Sequence, residues 1–312
     1  MHTMKTTTKK PKIIVVGSCN TDMIIRADRF PMPGETILGG RFVMEPGGKG
    51  ANQAIAAARL GGDVTLVSKI GYDLFGLQAI DLYRNENIST NYVITDLNNP
   101  SGFAMITVNA IGENYIIVAP GANTTLSVED ISKAEECIAS ADILIVQLEI
   151  PLDTVEHAIN IANSHGVKTI MKPAPAPLTL NDTIISRLYA ILPNRVEAEQ
   201  LAGIEIFDMR TARAAADIIS RRGVDNVLIT LGGAGVFVKA GQEYASFPAR
   251  NVEVVDSIGA GDVFCGAFGT QISYGCSVME AARYANAAAS LSVTRIGAQQ
   301  AIPYRTEVDA II

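Results

Sequence analysis

ADILIVQLEIPLDTVEHAINIANSHGVKTIM, residues 141–171, changes its hydrophobic period twice. The run ADILIVQLEI is mostly apolar and β-branched, the texture of a strand buried on both faces of a sheet. LDTVEHAINIANSHG then reads as a helix closed by Gly166, and VKTIM as a second strand. Two strands joined by a helix of that length form a crossover unit, so the strands run parallel and the helix covers one face of their sheet.

The same rhythm continues on both sides. SVEDISKAEECIAS (127–140) opens with Ser127 and acids in its first turn, as a helix N-terminus prefers. YAILPN and DNVLITLGG are further strands, with helices RVEAEQLAG and MRTARAAADIISRRG between them. Toward the N-terminus KIIVVG (12–17) is a buried strand, and the Ala-rich helix GANQAIAAARLGG (50–62) leads into the strand VTLVSKIG. A second texture interrupts this half: DMIIRADRFP, ETILGGRFVM, NYVIT (91–95), GFAMITVN (102–109) and NYIIVAPG (114–121) are short strands broken by Gly, Pro, charge and polar turns. These are expected to form an exposed flap. The fold class is therefore α/β: a three-layer sandwich with a mostly parallel central sheet, helices on both faces, and a small β flap. Residues 1–11 read as a disordered basic tail and 12–312 as one domain.

Composition narrows the function classes. Of 312 residues 48% are hydrophobic and 18% charged, which suits a well-buried globular chain and not a disordered one. With 25 basic and 32 acidic residues the formal charge is −7, so no global field recruits a polyanion, and nucleic acid is not an expected partner. The basic cluster Lys5, Lys9, Lys10 and Lys12 precedes an apolar run too short for a secretion signal, and no run approaches the roughly 18 apolar residues of a membrane span. Cys19, Cys137, Cys265 and Cys276 lack CxxC spacing, so reduced thiols in the cytoplasm are expected.

Parallel sheets bind ligands at the carboxyl ends of their strands. In VVGSCNTD (15–22) Asn20 and Asp22 are either turn formers or, at alternate positions, side chains facing one hydroxyl-rich ligand. EPGGKGANQA (45–54) is not a Walker A loop, because Gly50 and not Ser or Thr follows Lys49. It is either a flexible turn or a loop whose Lys49 and Asn52 converge on a polyhydroxylated ligand. Glu149 ends an apolar strand and points either to water or into the cleft. Asn194 and Glu197 have the spacing of a helix cap and its capping-box acid. TLGGAG (230–235) is either a hairpin turn or a surface open to a flat nucleotide base.

DSIGAGDVFCGAF (256–268) lacks the G-x-G-x-x-G order of a dinucleotide turn. It is a glycine turn opening a helix, whose free N–H groups and dipole attract an anion. Asp262 in the first turn either stabilises the helix alone, by roughly 0.3–1 kcal/mol, or deprotonates a hydroxyl beside that anion, the pairing that suits phosphoryl transfer to an alcohol. His2, His157 and His165 have no metal-ligand spacing, and neither HExxH nor G-x-S-x-G occurs. Any metal would act through phosphates and carboxylates, the usual manner of Mg²⁺.

GSCNTD, GGKGANQA, LPNRVEAE, TLGGAG and DSIGAGDVFCGAF, in that order, together resemble the ribokinase-like carbohydrate kinases, also called the PfkB family. The resemblance implies transfer of the ATP γ-phosphate to the primary 5-hydroxyl of a pentose, D-ribose first, with a deoxyribose, hexose or nucleoside kinase, or a non-catalytic sugar-responsive protein, as alternatives. It implies Asp262 as base and Gly259, Ala260 and Gly261 as anion hole. Asn20, Asp22, Gly48, Lys49, Asn52 and Glu149 would hold the sugar, Asn194 and Glu197 would serve the phosphates and Mg²⁺, and Thr230, Leu231, Gly232, Gly233, Ala234, Gly235 and Asn286 would hold the nucleotide. The resemblance also implies a K⁺ site at Asp256, Ile258, Ser292, Arg295, Gly297 and Ala301, mostly through carbonyls, a β-sheet lid inserted at about 21–45 and 91–120, and a homodimer formed by pairing of such lids. Two positions depart from the family pattern. Lys172 stands in MKPAPA where the family commonly has Asn, and either adds a phosphate contact or crowds one; Ser257 replaces the usual Thr.

Overall fold

The computed structural model describes residues 10–111, 113–175 and 180–312, so most of the expected basic tail and the end of MKPAPA lie outside the described residues. The strands are β1 (Lys12–Val16), β2 (Asn20–Arg26), β3 (Arg41–Gly47), β4 (Asp63–Gly71), β5 (Ser89–Asp96), β6 (Gly102–Val108), β7 (Asn114–Ala119), β8 (Ile143–Val146), β9 (Lys168–Met171), β10 (Ala190–Ile191), β11 (Asn226–Thr230), β12 (Val236–Ala240) and β13 (Glu243–Phe247). The helices are α1 (Lys49–Arg59), α2 (Leu74–Asn85), α3 (Val128–Ser132), α4 (Glu135–Ala139), α5 (Leu152–Ser164), α6 (Asp182–Ile185), α7 (Arg195–Ala202), α8 (Met209–Ser220), α9 (Ala260–Ser273), α10 (Val278–Ser292) and α11 (Arg305–Asp309).

The apolar runs become the middle of a nine-stranded sheet ordered β13-β12-β11-β10-β9-β8-β1-β4-β5. From β5 to β11 every pairing is parallel; only the β11–β12 and β12–β13 pairings are antiparallel. Because side chains alternate along a strand, Ile13 and Val15 of β1 enter one core layer with α1, α9 and α10, while Ile14 and Val16 enter the other with α5 and α8. Parallel order also brings the carboxyl ends of β1, β8, β9, β10 and β11 to one edge of the sheet.

A second sheet, ordered β3-β2-β6-β7, forms the lid. Its inward face carries Asp22 with Ile24, Ala104 and Ile106, the last three buried; the register places Phe42, Met44, Met105, Tyr115 and Ile117 on the opposite face, all exposed.

Two expectations need correction. NYVIT does not belong to the lid: β5 pairs with β4 in the main sheet, so the second lid insert begins at Gly102. Tyr92 and Ile94 pack on one core layer and Val93 on the other, so this is an edge strand half-buried on both sides, whose mixed texture imitates an exposed flap. The expected helix over 127–140 is two, α3 and α4: Ser127 caps the first in a capping box with Asp130, and Ala134 in a non-helical conformation separates the second.

Candidate active site

Two glycines let the lid strands meet α1. A Cβ on Gly48, whose φ is 89°, would stand 2.6 Å from the Asn20 nitrogen, and one on Gly47 would collide with the Asp22 carboxylate. Asn20 is fixed by Asn123, whose amide donates to the Asn20 Oδ1 (2.8 Å) and accepts from the Cys19 N–H (2.9 Å). Glu149, just past β8, turns into the cleft and not out to water. Its Oε2 accepts from the Ser18 hydroxyl (2.5 Å) and the Lys49 N–H (3.1 Å), and its Oε1 pairs with the Lys49 ammonium (3.0 Å). Burial works against the Lys49 charge, but Glu149 and Asp262 outweigh it and hold its pKa above the ordinary lysine value. Asp22 is pushed up to about 6, by burial first and then by the charge of Glu149.

Asp262 lies in the first turn of α9, buried beneath α1. The helices approach closely because Gly266 has no side chain: a Cβ there would sit 2.7 Å from both the Ala56 Cβ and the Gln53 carbonyl. At that distance Asn52 Nδ2 donates to Asp262 Oδ2 (3.1 Å) and Gln53 Nε2 to Oδ1 (2.9 Å). Each amide is held in turn, Gln53 by Gln147 (2.6 Å) and Asn52 by Gln299 (3.0 Å). Burial pushes the Asp262 pKa up, against the pull of Lys49, Lys172 and the two amides. Gly259 caps α9 in the left-handed region at φ 74°. The N–H groups of Gly259 and Gly261 have no acceptor among the described residues, while that of Ala260 leans on the Ser257 carbonyl at 3.3 Å. A buried carboxylate beside open helix-start donors can remove a proton while the donors hold an anion.

On the opposite side Asn194 caps α7, with Glu197 completing the capping box. The cap reading therefore holds. Glu197 is not thereby spent: its Oε2 also meets the Lys172 ammonium at 3.1 Å. An isolated bridge pairs Asn194 with Thr230, placing the end of β11 beside it. TLGGAG is a hairpin turn with a 3-10 segment at Gly232–Ala234 and open space over Gly232 and Gly233. Gly235 fits against the Phe247 carbonyl and Pro248, the same carbonyls to which Asn286 donates (3.4 and 2.8 Å). Thr230 to Gly235 and Asn286 thus form one surface.

Asp256 clamps two loops near the start of α9, its Oδ1 accepting from the Ile258 N–H (3.0 Å) and its Oδ2 from the Gly297 N–H (3.2 Å). Its nearest counter-charge is Arg26 of the lid, at 3.4 Å. Ser292 and Arg295 meet through their backbones at 3.2 Å, Ala301 is buried, and the Arg295 side chain turns away to Glu307. The Asp256 side chain is nearly buried, and both its oxygens accept from loop N–H groups. No group of three or more His, Cys, Asp or Glu side chains placed to hold a metal ion occurs among the described residues.

Sequence reasoning missed Gln53, Gln147, Gln299 and Asn123. Gln53 neighbours Asn52, but only the crossing of α1 over α9 turns both amides onto one carboxylate; the other three come from distant segments and carried no local signal.

The fold and this cleft define a carbohydrate kinase: the model of the pfkB family carbohydrate kinases matches residues 10–305, and the chain belongs to that family. It is an ATP-dependent sugar kinase. Its relatives include the ribokinase of Haemophilus influenzae, 42% identical over 95% of this chain and 96% of the relative, and the deoxyribokinase of Salmonella typhi, 36% identical over 93% and 95%. The Arabidopsis thaliana ribokinase complexed with ribose and ATP superposes with a TM-score of 0.88 at 30% identity, covering 97% of this chain and 98% of that one.

Proposed function

We propose that this kinase acts on D-ribose at the 5-hydroxyl, giving ribose 5-phosphate and ADP. The observation that carries the reading is Asp262, held by Asn52 and Gln53 beside the open N–H groups that begin α9. Asp262 takes the proton of the attacking hydroxyl, and the N–H groups of Gly259 and Gly261, with Ala260 between them, hold the phosphoryl oxygens. Asn20, Asp22, Gly48, Lys49, Asn52 and Glu149 orient the sugar, Glu149 acting both directly and by fixing Lys49. The surface of Thr230 to Gly235 with Asn286 takes the nucleotide. Asn194 and Glu197 would meet a phosphate-borne Mg²⁺ indirectly, and the ion would supply positive charge against the group in transfer. Asp256 and the carbonyls of Ile258, Ser292, Arg295, Gly297 and Ala301 would hold K⁺.

The exposed apolar lid face supports a homodimer through the lid, and the four free cysteines suit a reducing cytoplasm. No helix among the described residues is long and apolar enough to cross a membrane.

The test is ADP release from ATP and Mg²⁺ across a sugar panel, with and without K⁺. Ribose is expected to give the highest kcat/KM and K⁺ to raise it. Preference for deoxyribose, the reading that the 36% identical deoxyribokinase favours, would redirect the assignment. Sugar binding without ADP release would replace it by a sugar sensor. Asp262→Asn is expected to lower kcat by about 10²–10⁴ while sugar binding persists.

A further inference from the structure

Lys172 is the first residue past β9, a strand between β8 and β10 and therefore near the middle of the cleft edge. Its main chain is fixed on both sides, the N–H donating to the Val146 carbonyl (3.0 Å) and the carbonyl accepting from the Ala174 N–H (2.8 Å). The side chain runs across the start of α9: a Cβ on Gly261 would lie 3.3 Å from the Lys172 Cε and 3.6 Å from its Nζ. The ammonium ends on Glu197 at 3.1 Å, with both side chains 8% exposed. Of its three N–H donors one is used there, and the described residues offer the others no acceptor. A buried ammonium is costly to leave part-satisfied, and a pair serving stability alone is replaceable by apolar side chains. Here it lies against Gly261 and the acid of α7, close enough to favour the charge of the Asp262 carboxylate, where the phosphate of a kinase substrate would be received.

We propose that Lys172 is a catalytic residue: its ammonium, steadied by Glu197, contacts the phosphoryl group in transfer. The proposal rests on the kinase reading. In the reaction the sugar hydroxyl oxygen bonds to the γ-phosphorus, and the bond from that phosphorus to the bridging oxygen breaks with its electron pair leaving on ADP. The hydroxyl proton passes to Asp262. Lys172 transfers no proton; it answers the negative charge of the γ-phosphoryl oxygens, a charge that ADP does not bring to this place. The missing side chain at Gly261 leaves room for this one to pass, since a Cβ there would press on the Lys172 Cε.

The experiment compares wild type with Lys172→Met and Lys172→Arg, measuring kcat, sugar KM and, by calorimetry with Mg²⁺, the affinities for ATP and ADP separately. Lys172→Met is expected to lower kcat about 10- to 100-fold with sugar KM nearly unchanged, and to weaken ATP about tenfold while leaving ADP unchanged. Lys172→Arg should recover part of the ATP preference. An unchanged kcat and ATP-to-ADP ratio with a lowered Tm would overturn the proposal and leave a structural ion pair. Should the Met variant not fold, Lys172→Gln, which still donates to Glu197, is read the same way. The binding ratio decides the point even if wild type phosphorylates no sugar tested, an outcome that would fell the substrate reading alone; a wild type that binds neither nucleotide overturns both.

Discussion

At the Asp262 carboxylate two chains of amides meet, Gln147 to Gln53 and Gln299 to Asn52, and each donates one hydrogen bond to one oxygen. They orient the carboxylate and favour its charged form against the burial that opposes it. Gln53→Leu is expected to lower kcat about tenfold, the worth of one hydrogen bond to a charged group, and to move the acid limb of the kcat pH profile to higher pH. A lower kcat with an unmoved limb would make Gln53 a packing residue only. Asp22 shows the same conflict as a stability effect. Its pKa rises from 3.8 to about 6 on folding, so between those values the folded state binds more protons than the unfolded, and stability falls as pH rises through that window. Asp22→Asn should therefore raise Tm near about pH 7 but not near about pH 4, measured by calorimetry, while sugar affinity drops.

Among the elements, the pair α1 and α9 decides most. α1 begins at the Gly48 turn and presents Lys49 and Asn52 to the cleft; α9 begins at the Gly259 turn and presents Asp262. Gly266 sets the distance between them. Gly266→Ala is expected to cost about 1–3 kcal/mol by overpacking against Ala56 and the Gln53 carbonyl. It should also lower kcat, because the Asn52 and Gln53 bonds to Asp262 lengthen. Thermal unfolding and steady-state kinetics on the same variant check both, and a stability loss with full activity would show that the spacing tolerates slack.

Over the whole molecule, the lid has one face toward the cleft and one toward solvent. Its inward face brings Asp22 to the cleft and Arg26 to Asp256, while its outward face exposes Phe42, Met44, Met105, Tyr115 and Ile117. An apolar sheet face of this kind invites a second copy, and a two-fold dimer would bury the same patch on both. Ile117→Asp is expected to convert a dimer to monomers in sedimentation at micromolar concentration and to raise the sugar KM, because an unsupported lid closes less well. A wild-type chain that sediments as a monomer would remove the dimer.

The alternation of buried apolar runs with helices was enough to specify a parallel α/β sheet, because the backbone demands of crossover units are local and show in the period of the sequence. The glycine turns at Gly48 and Gly259, and the acids beside them, were legible for the same reason: positive φ and helix-start chemistry are properties of a few consecutive residues. Whether Glu149 faced water or the cleft was not legible, nor was the membership of β5, since both depend on which distant strand lies alongside. The Gln147–Gln53–Asp262–Asn52–Gln299 chain and the meeting of Lys172 with Glu197 over Gly261 were decided only by tertiary structure. Hydrogen bonds and ion pairs between segments far apart in sequence are fixed by packing distance, and that distance is set by the whole core.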